Sequence, residues 1–149
     1  MRVPMSAVFG VCGLIFGGWL IAAEAQDDAE KELKKLEGNY VLVSGEANGE
    51  KLPETIVKAA TLTVEGNKHT VKIGDDTIIG THKLAPTKKP KEIDSTDTEG
   101  PLTGKTYLGI YKLEKGIFTV YFAPPDMDRP KEFGTKTVPG ELLHVWKKK

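Results

Sequence analysis

Residues 105–123, KTYLGIYKLEKGIFTVYFA, constrain the fold of this chain more than any other stretch. They read as two strands joined by Glu114-Lys115-Gly116, with Gly116 in the left-handed bulge position of a three-residue hairpin loop. That register sets Leu113 against Ile117, Ile110 against Val120 and Leu108 against Phe122. One face then carries Leu108, Ile110, Phe118, Val120 and Phe122, with Lys112 at its loop end. The other carries Tyr107, Tyr111, Thr119 and Tyr121. Gly109 falls opposite Tyr121, and an aromatic laid over a strand glycine is a known way to pin register. A hairpin with one greasy face must cover it with another sheet face. The expectation is an antiparallel barrel or sandwich, with no chemistry attached.

The chain of 149 residues suits one domain. Its 21 basic and 21 acidic side chains balance. There is thus no electrostatic case for nucleic acid or for an anionic membrane surface as partner. The first 25 residues differ in character. Arg2 is their only charge before Glu24, an apolar glycine-containing run follows it, and Ala23-Glu24-Ala25 fits a small-x-small cleavage site. Residues 1–25 are therefore expected to be a secretory signal peptide cleaved after Ala25. The product would be secreted or periplasmic and free of the membrane. The alternative is an uncleaved N-terminal anchor, since about 20 apolar residues can span a bilayer. Cys12 is the one cysteine and lies in that segment, so residues 26–149 hold no thiol and no disulfide.

Residues 27–37 read as a short helix with Asp27 or Asp28 as a cap and Gly38 as its stop. Leu33 and Leu36 give it only a narrow apolar stripe. Strands are expected at 40–46, 61–65, 68–73, 77–84, 91–96, on both sides of the Lys115 loop, and at 141–146. Residues 53–60 read as a short helix or turn running into a strand. Gly80 marks a bend or bulge. Three prolines within 124–130 make that stretch an irregular loop. The count of about eight short strands with little helix gives an all-β fold, an antiparallel barrel or small sandwich.

GNYVLVSGEANGEKLP, GTHKLAPTKKPKEIDST, GIYKLEKGIFTVYFAP and RPKEF resemble, in that order, segments of a lipocalin-like domain found in uncharacterised secreted proteins of planctomycete bacteria. The resemblance implies a lipocalin-like antiparallel barrel of about eight strands over 26–149, with a short N-terminal helix. It implies no activity. Tyr40 stands where the lipocalin-like Gly-x-Trp would have tryptophan, and it can still plug the barrel base if its hydroxyl finds a partner. Ala85 stands where an acidic residue is common.

No catalytic, metal or cofactor site is legible. His69, His82 and His144 lie thirteen and sixty-two residues apart, which matches no compact zinc motif. Asp126-x-Asp128-Arg129 lacks the third acid and the glycine of a calcium loop, and reads as a turn with a local Asp–Arg pair. Glu92 and Asp94 share one strand face and read as solvated. No serine sits in a nucleophile elbow. Lys88, Lys89 and Lys91 read as a solubilising cluster.

Two functional readings remain. The first is a binder of one small apolar or amphipathic ligand in the barrel. The second is an extracytoplasmic protein-interaction module without a cavity, using Tyr107, Tyr111 and Tyr121 if they face outward together. His69 and His82 are the further ligand candidates. The Gly66-Asn67 turn puts His69 on the face of Leu62, Val64, Val71 and Ile73. In one register of the next hairpin Ile73 meets Ile78 and His69 faces His82; in the other Val71 meets Ile79 and His69 faces Thr81. The first register places both histidines near one end of the apolar face.

Overall fold

The computed structural model describes residues 17–134 and 139–149. Residues 1–16, with Arg2 and Cys12, lie outside them. A helix, α1 (Gly17–Leu36), precedes the strands. Strands β1 (Gly38–Ala47) and β2 (Glu50–Lys51) come next, then a one-and-a-half-turn helix, α2 (Glu54–Ala59). The remaining strands are β3 (Ala60–Glu65), β4 (Lys68–Ile73), β5 (Asp76–Ala85), β6 (Lys91–Glu99), β7 (Thr106–Glu114), β8 (Ile117–Phe122) and β9 (Leu142–Lys148). Successive strands pair antiparallel from β3 to β9, and β1 pairs with both β3 and β9. This closes an eight-stranded antiparallel barrel, with β2 appended to β1. Closure removes the sheet edges that an open sheet of this size would leave unpaired.

The core follows the period-two pattern. Tyr40, Leu42, Leu62, Val64, Leu84, Ile93, Tyr111, Phe118, Val120 and Trp146 are buried together with Leu36 from α1. Leu36 and its neighbour Leu33 join the core despite the narrow stripe, because the helix end closes one end of the barrel. Tyr40 is fully buried there, and its hydroxyl donates to the Leu36 carbonyl at 2.6 Å. Lys148 Nζ donates to the Lys35 carbonyl at 3.1 Å. Carbonyls of the last helical turn, which have no partner within the helix, are thus met by the sheet. Glu32 is 4% exposed; Lys91 Nζ donates to its Oε1 at 2.7 Å and the Tyr111 hydroxyl at 3.2 Å. Lys91 is therefore a structural partner rather than part of a solubilising cluster, as a nearly buried carboxylate demands. The helix is already present at Gly17, ten residues before the expected Asp27, which lies inside it and is no cap.

Two registers differ from expectation. At the Lys115 turn, Glu114 pairs with Ile117, Leu113 with Phe118, Tyr111 with Val120 and Gly109 with Phe122. The loop has two residues, not three. Lys115 itself adopts φ +50° and Gly116 φ +77°, the double left-handed pattern of a type I′ turn. The one-residue slip moves the partner set to the other face. Tyr107 and Tyr111 now share the inner face with Phe118, Val120 and Phe122, while Leu108, Ile110 and Tyr121 point outward. Between β4 and β5, Ile73 pairs with Asp76, Val71 with Ile78 and His69 with Gly80. Neither expected register holds, because the turn is again only two residues, Gly74 and Asp75. The slip from the first register is two residues, so every side chain keeps its face. The Gly66-Asn67 hairpin is as expected, with Val64 against His69 and Leu62 against Val71. The bulge at Gly80 is also present, as a register shift between Ile79 and Gly80.

The segment after β8 lies across the outer surface. Arg129 Nη1 donates to the carbonyls of Ile93 and Gly109 at 3.0 and 2.8 Å, and Nη2 donates to Asp94 at 2.6 Å. Its Nε is 3.5 Å from Glu92. Arg129 therefore pairs with Glu92 and Asp94 on β6, not with the adjacent aspartates. The two carboxylates do share one outward face, and that face is an arginine dock.

Candidate functional site

The barrel is hollow. A cavity of about 330 Å³ lies inside it, and Leu36 forms part of its wall at the α1 end. Most of the lining is aliphatic or aromatic, from every strand of the barrel except β1. Leu52, just before α2, and Ile56, within it, contribute from the far end, and Leu102, 47% exposed, stands where the wall meets solvent. The volume is at the small end of the range for ligand pockets, and a closed eight-stranded barrel is just wide enough to hold one small molecule.

One wall is polar. It is built by two neighbouring rows of the sheet. In one, His82 pairs with Ser95 and Ser95 with Tyr107. In the next, His69 pairs with Gly80 and Gly80 with Asp97. All five side chains, His69, His82, Ser95, Asp97 and Tyr107, line the cavity. Gly80 makes the cluster compact. A Cβ there would lie 2.6 Å from His69 Nε2, so the imidazole rests over the glycine and reaches towards its neighbours.

His69 and His82 are together, as one expected register proposed, but diagonally rather than face to face. Their Nδ1 atoms are 3.0 Å apart and their rings stack at 5.3 Å. His82 Nε2 is 3.1 Å from the Gly66 carbonyl, and Ser95 Oγ is 3.5 Å from His69 Nε2. The Gly66 turn is itself held by Glu37, at the end of α1, so the pair lies towards the helix-plugged end and not at a mouth. Burial lowers the pKa of His69 from 6.5 to about 4. Burial also lowers that of His82 to about 4, assisted by His69 and opposed by the Gly66 carbonyl. Both rings are neutral at neutral pH.

Asp97 and Ser95 were missed in the sequence because they sit in the polar run IDSTDT. The signal was there: counting in twos from Ile93 puts Ser95 and Asp97 inward and Glu92, Asp94 and Thr96 outward. Burial raises the Asp97 pKa, and burial with the negative charge of Asp97 raises that of Tyr107. His144 also lines the cavity, edge-on to Trp146 at 5.8 Å, with its pKa lowered to about 4 by burial.

The three tyrosines do not form one surface. Tyr107 lines the cavity. Tyr111 lies at its plugged end, bonded to Glu32, and burial raises its pKa strongly. Tyr121 is on the outer face and 3% exposed, beside the strands that Arg129 straps. The outward aromatic patch that an interaction module would need is not formed by these residues.

The Ser95–His69–His82 sequence has the outline of a nucleophile relay but not its electrostatics. A relay serine needs a base that can take its proton and a carboxylate that stabilises the resulting imidazolium. Here Nδ1 of His69 meets a second neutral imidazole, and both are held well below the range suited to a general base at neutral pH. Among the described residues no group of three or more His, Cys, Asp or Glu side chains is placed to hold a metal ion. No helix of the described residues is long and apolar enough to cross a membrane. No protein-family profile, no curated protein and no solved structure matches the chain.

Proposed function

We propose that this protein binds one small, mainly apolar ligand inside its barrel, and does no chemistry on it. The observation that supports this most is an apolar cavity of about 330 Å³ with His69, His82, Ser95, Asp97 and Tyr107 gathered on one wall and His144 apart from them on β9. Pockets of that kind hold a molecule by burial and orient it by a few polar contacts. A hydrolytic role is disfavoured by the two mutually neutral imidazoles behind Ser95. We read the chain as secreted or periplasmic, cleaved after Ala25, with N-terminal anchoring as the alternative. Glu32, Leu33 and Leu36, which close the barrel, all follow that bond, so cleavage leaves the plug in place.

Saturable uptake of a neutral solvatochromic dye such as Nile red tests the binding role. The unaltered protein takes up one dye per chain with a blue-shifted emission. Val71→Trp, which fills the cavity from β4, abolishes uptake while the β-rich circular dichroism spectrum persists. Undiminished uptake by a folded Val71→Trp variant would place the dye on the surface and end the reading. Intact mass of the exported protein decides the N-terminus: a chain starting at Gln26 supports cleavage, and a chain retaining the apolar segment supports the anchor.

A further inference from the structure

The hydrogen bonds on the polar wall run in one direction, and that direction limits what the cavity can receive. The Gly66 carbonyl can only accept, so His82 Nε2, 3.1 Å away, carries the proton. A neutral imidazole has one N–H, which leaves His82 Nδ1 as an acceptor. His69 Nδ1, 3.0 Å from it, must then be the donor. His69 Nε2 is left with a bare lone pair, lying over Gly80 on the cavity wall. Ser95 Oγ, at 3.5 Å, is too far to satisfy it fully.

We infer that the polar group of the ligand is an uncharged hydrogen-bond donor, a hydroxyl on an otherwise apolar molecule, received by His69 Nε2 with Ser95 Oγ as its second partner. The inference rests on the cavity being a ligand site. Two further observations support it. No lysine or arginine is among the described residues that line the cavity, so a carboxylate or phosphate would enter without a counter-charge. The Asp97 carboxyl stands on the same wall and opposes an anion further. An ammonium group would turn to Asp97 rather than to His69, and would lose its hydration in an apolar chamber. A hydroxyl has neither penalty, and it can donate to Nε2 while accepting from Ser95.

Displacement of Nile red from the unaltered protein at pH 7.5 by four eight-carbon probes tests this. These are 1-octanol, octyl methyl ether, octanoate and octylamine. The expected order has 1-octanol tighter than each of the others by about tenfold, the worth of one well-made buried hydrogen bond. In parallel, ¹⁵N spectra of the imidazoles assign the Nδ1–H tautomer to His69 and the Nε2–H tautomer to His82, and 1-octanol moves the His69 Nε2 signal while the ether does not. His69→Phe removes the preference for the alcohol over the ether. If that variant does not fold, the probe series and the ¹⁵N signals on the unaltered protein carry the decision. Ether or octanoate binding as tightly as the alcohol overturns the donor rule and leaves the cavity reading standing. Tighter octylamine overturns it in favour of Asp97. Failure of the dye and of all four probes to bind removes the cavity reading itself, and the donor rule with it.

Discussion

His69 and Gly80 stand directly opposite each other on β4 and β5, and the imidazole fills the space that a side chain at position 80 would need. A Cβ at Gly80 would also lie 2.5 Å from the Thr96 carbonyl, which cannot move without disturbing β6. Gly80→Ala is therefore expected to destabilise the protein by about 1–3 kcal/mol, the usual cost of overpacking. It should also break the His69–His82 contact, visible as a change in the imidazole ¹⁵N shifts. An alanine variant as stable as the original, with unchanged histidine signals, would contradict the packing described.

The three cavity histidines make stability fall in acid. Burial holds His69, His82 and His144 at about 4, against 6.5 in the unfolded chain. Between those values the unfolded chain takes up protons that the folded chain refuses. Stability is thus fully present above pH 6.5 and is lost as the pH falls towards 4. The loss is on the order of 1 kcal/mol per imidazole per pH unit. Asp97 works the other way, since its raised pKa makes the folded chain the better proton acceptor in acid. Urea unfolding midpoints should therefore drop between pH 6.5 and 4.5, and less steeply in His144→Phe. Midpoints that stay level across that range would refute the burial of these rings in their neutral form.

Arg129 is the clasp of the outer strap. Removing it leaves the Ile93 and Gly109 carbonyls without this donor and puts Glu92 and Asp94 side by side without their cation. Arg129→Ala should cost about 1–3 kcal/mol. Arg129→Lys should recover little, because one ammonium cannot serve two carbonyls and two carboxylates at once. Hydrogen exchange in residues 123–134 would rise in both variants. Full rescue by lysine would mean that charge alone holds the strap.

Lys115 at φ +50° is an uncommon place for a side chain. Lys115→Gly should raise the thermal midpoint, by relief of about 0.5–1 kcal/mol of left-handed strain, with the barrel register unchanged. A lower midpoint would show that the lysine side chain contributes more at the turn than its backbone costs.

How far the sequence reached can be followed at single residues. Alternation about Gly66-Asn67 was enough to put His69 on the inner face, because a two-residue turn with glycine first leaves one register open. For His82 two registers of opposite parity stayed open; the observed pairing keeps the parity of the first, because a two-residue slip preserves faces, and so brings His82 beside His69. The hairpin at Lys115 went the other way. Whether a lysine will sit at positive φ is settled by how the strands on both sides pack, and the one-residue difference exchanged inside for outside along β7 relative to β8. Arg129 paired across the sheet with Glu92 and Asp94 instead of its neighbours in the chain, as contacts between distant segments arise only once the barrel has closed. The burial of Glu32 by Lys91 and Tyr111 has the same origin. The hollow interior is the clearest case. Strand number and alternation point to an antiparallel barrel or sandwich and divide each strand into two faces. Whether the inward side chains fill the space depends on summed volumes, tilt and the reach of each rotamer across the axis, and only the folded chain decides that.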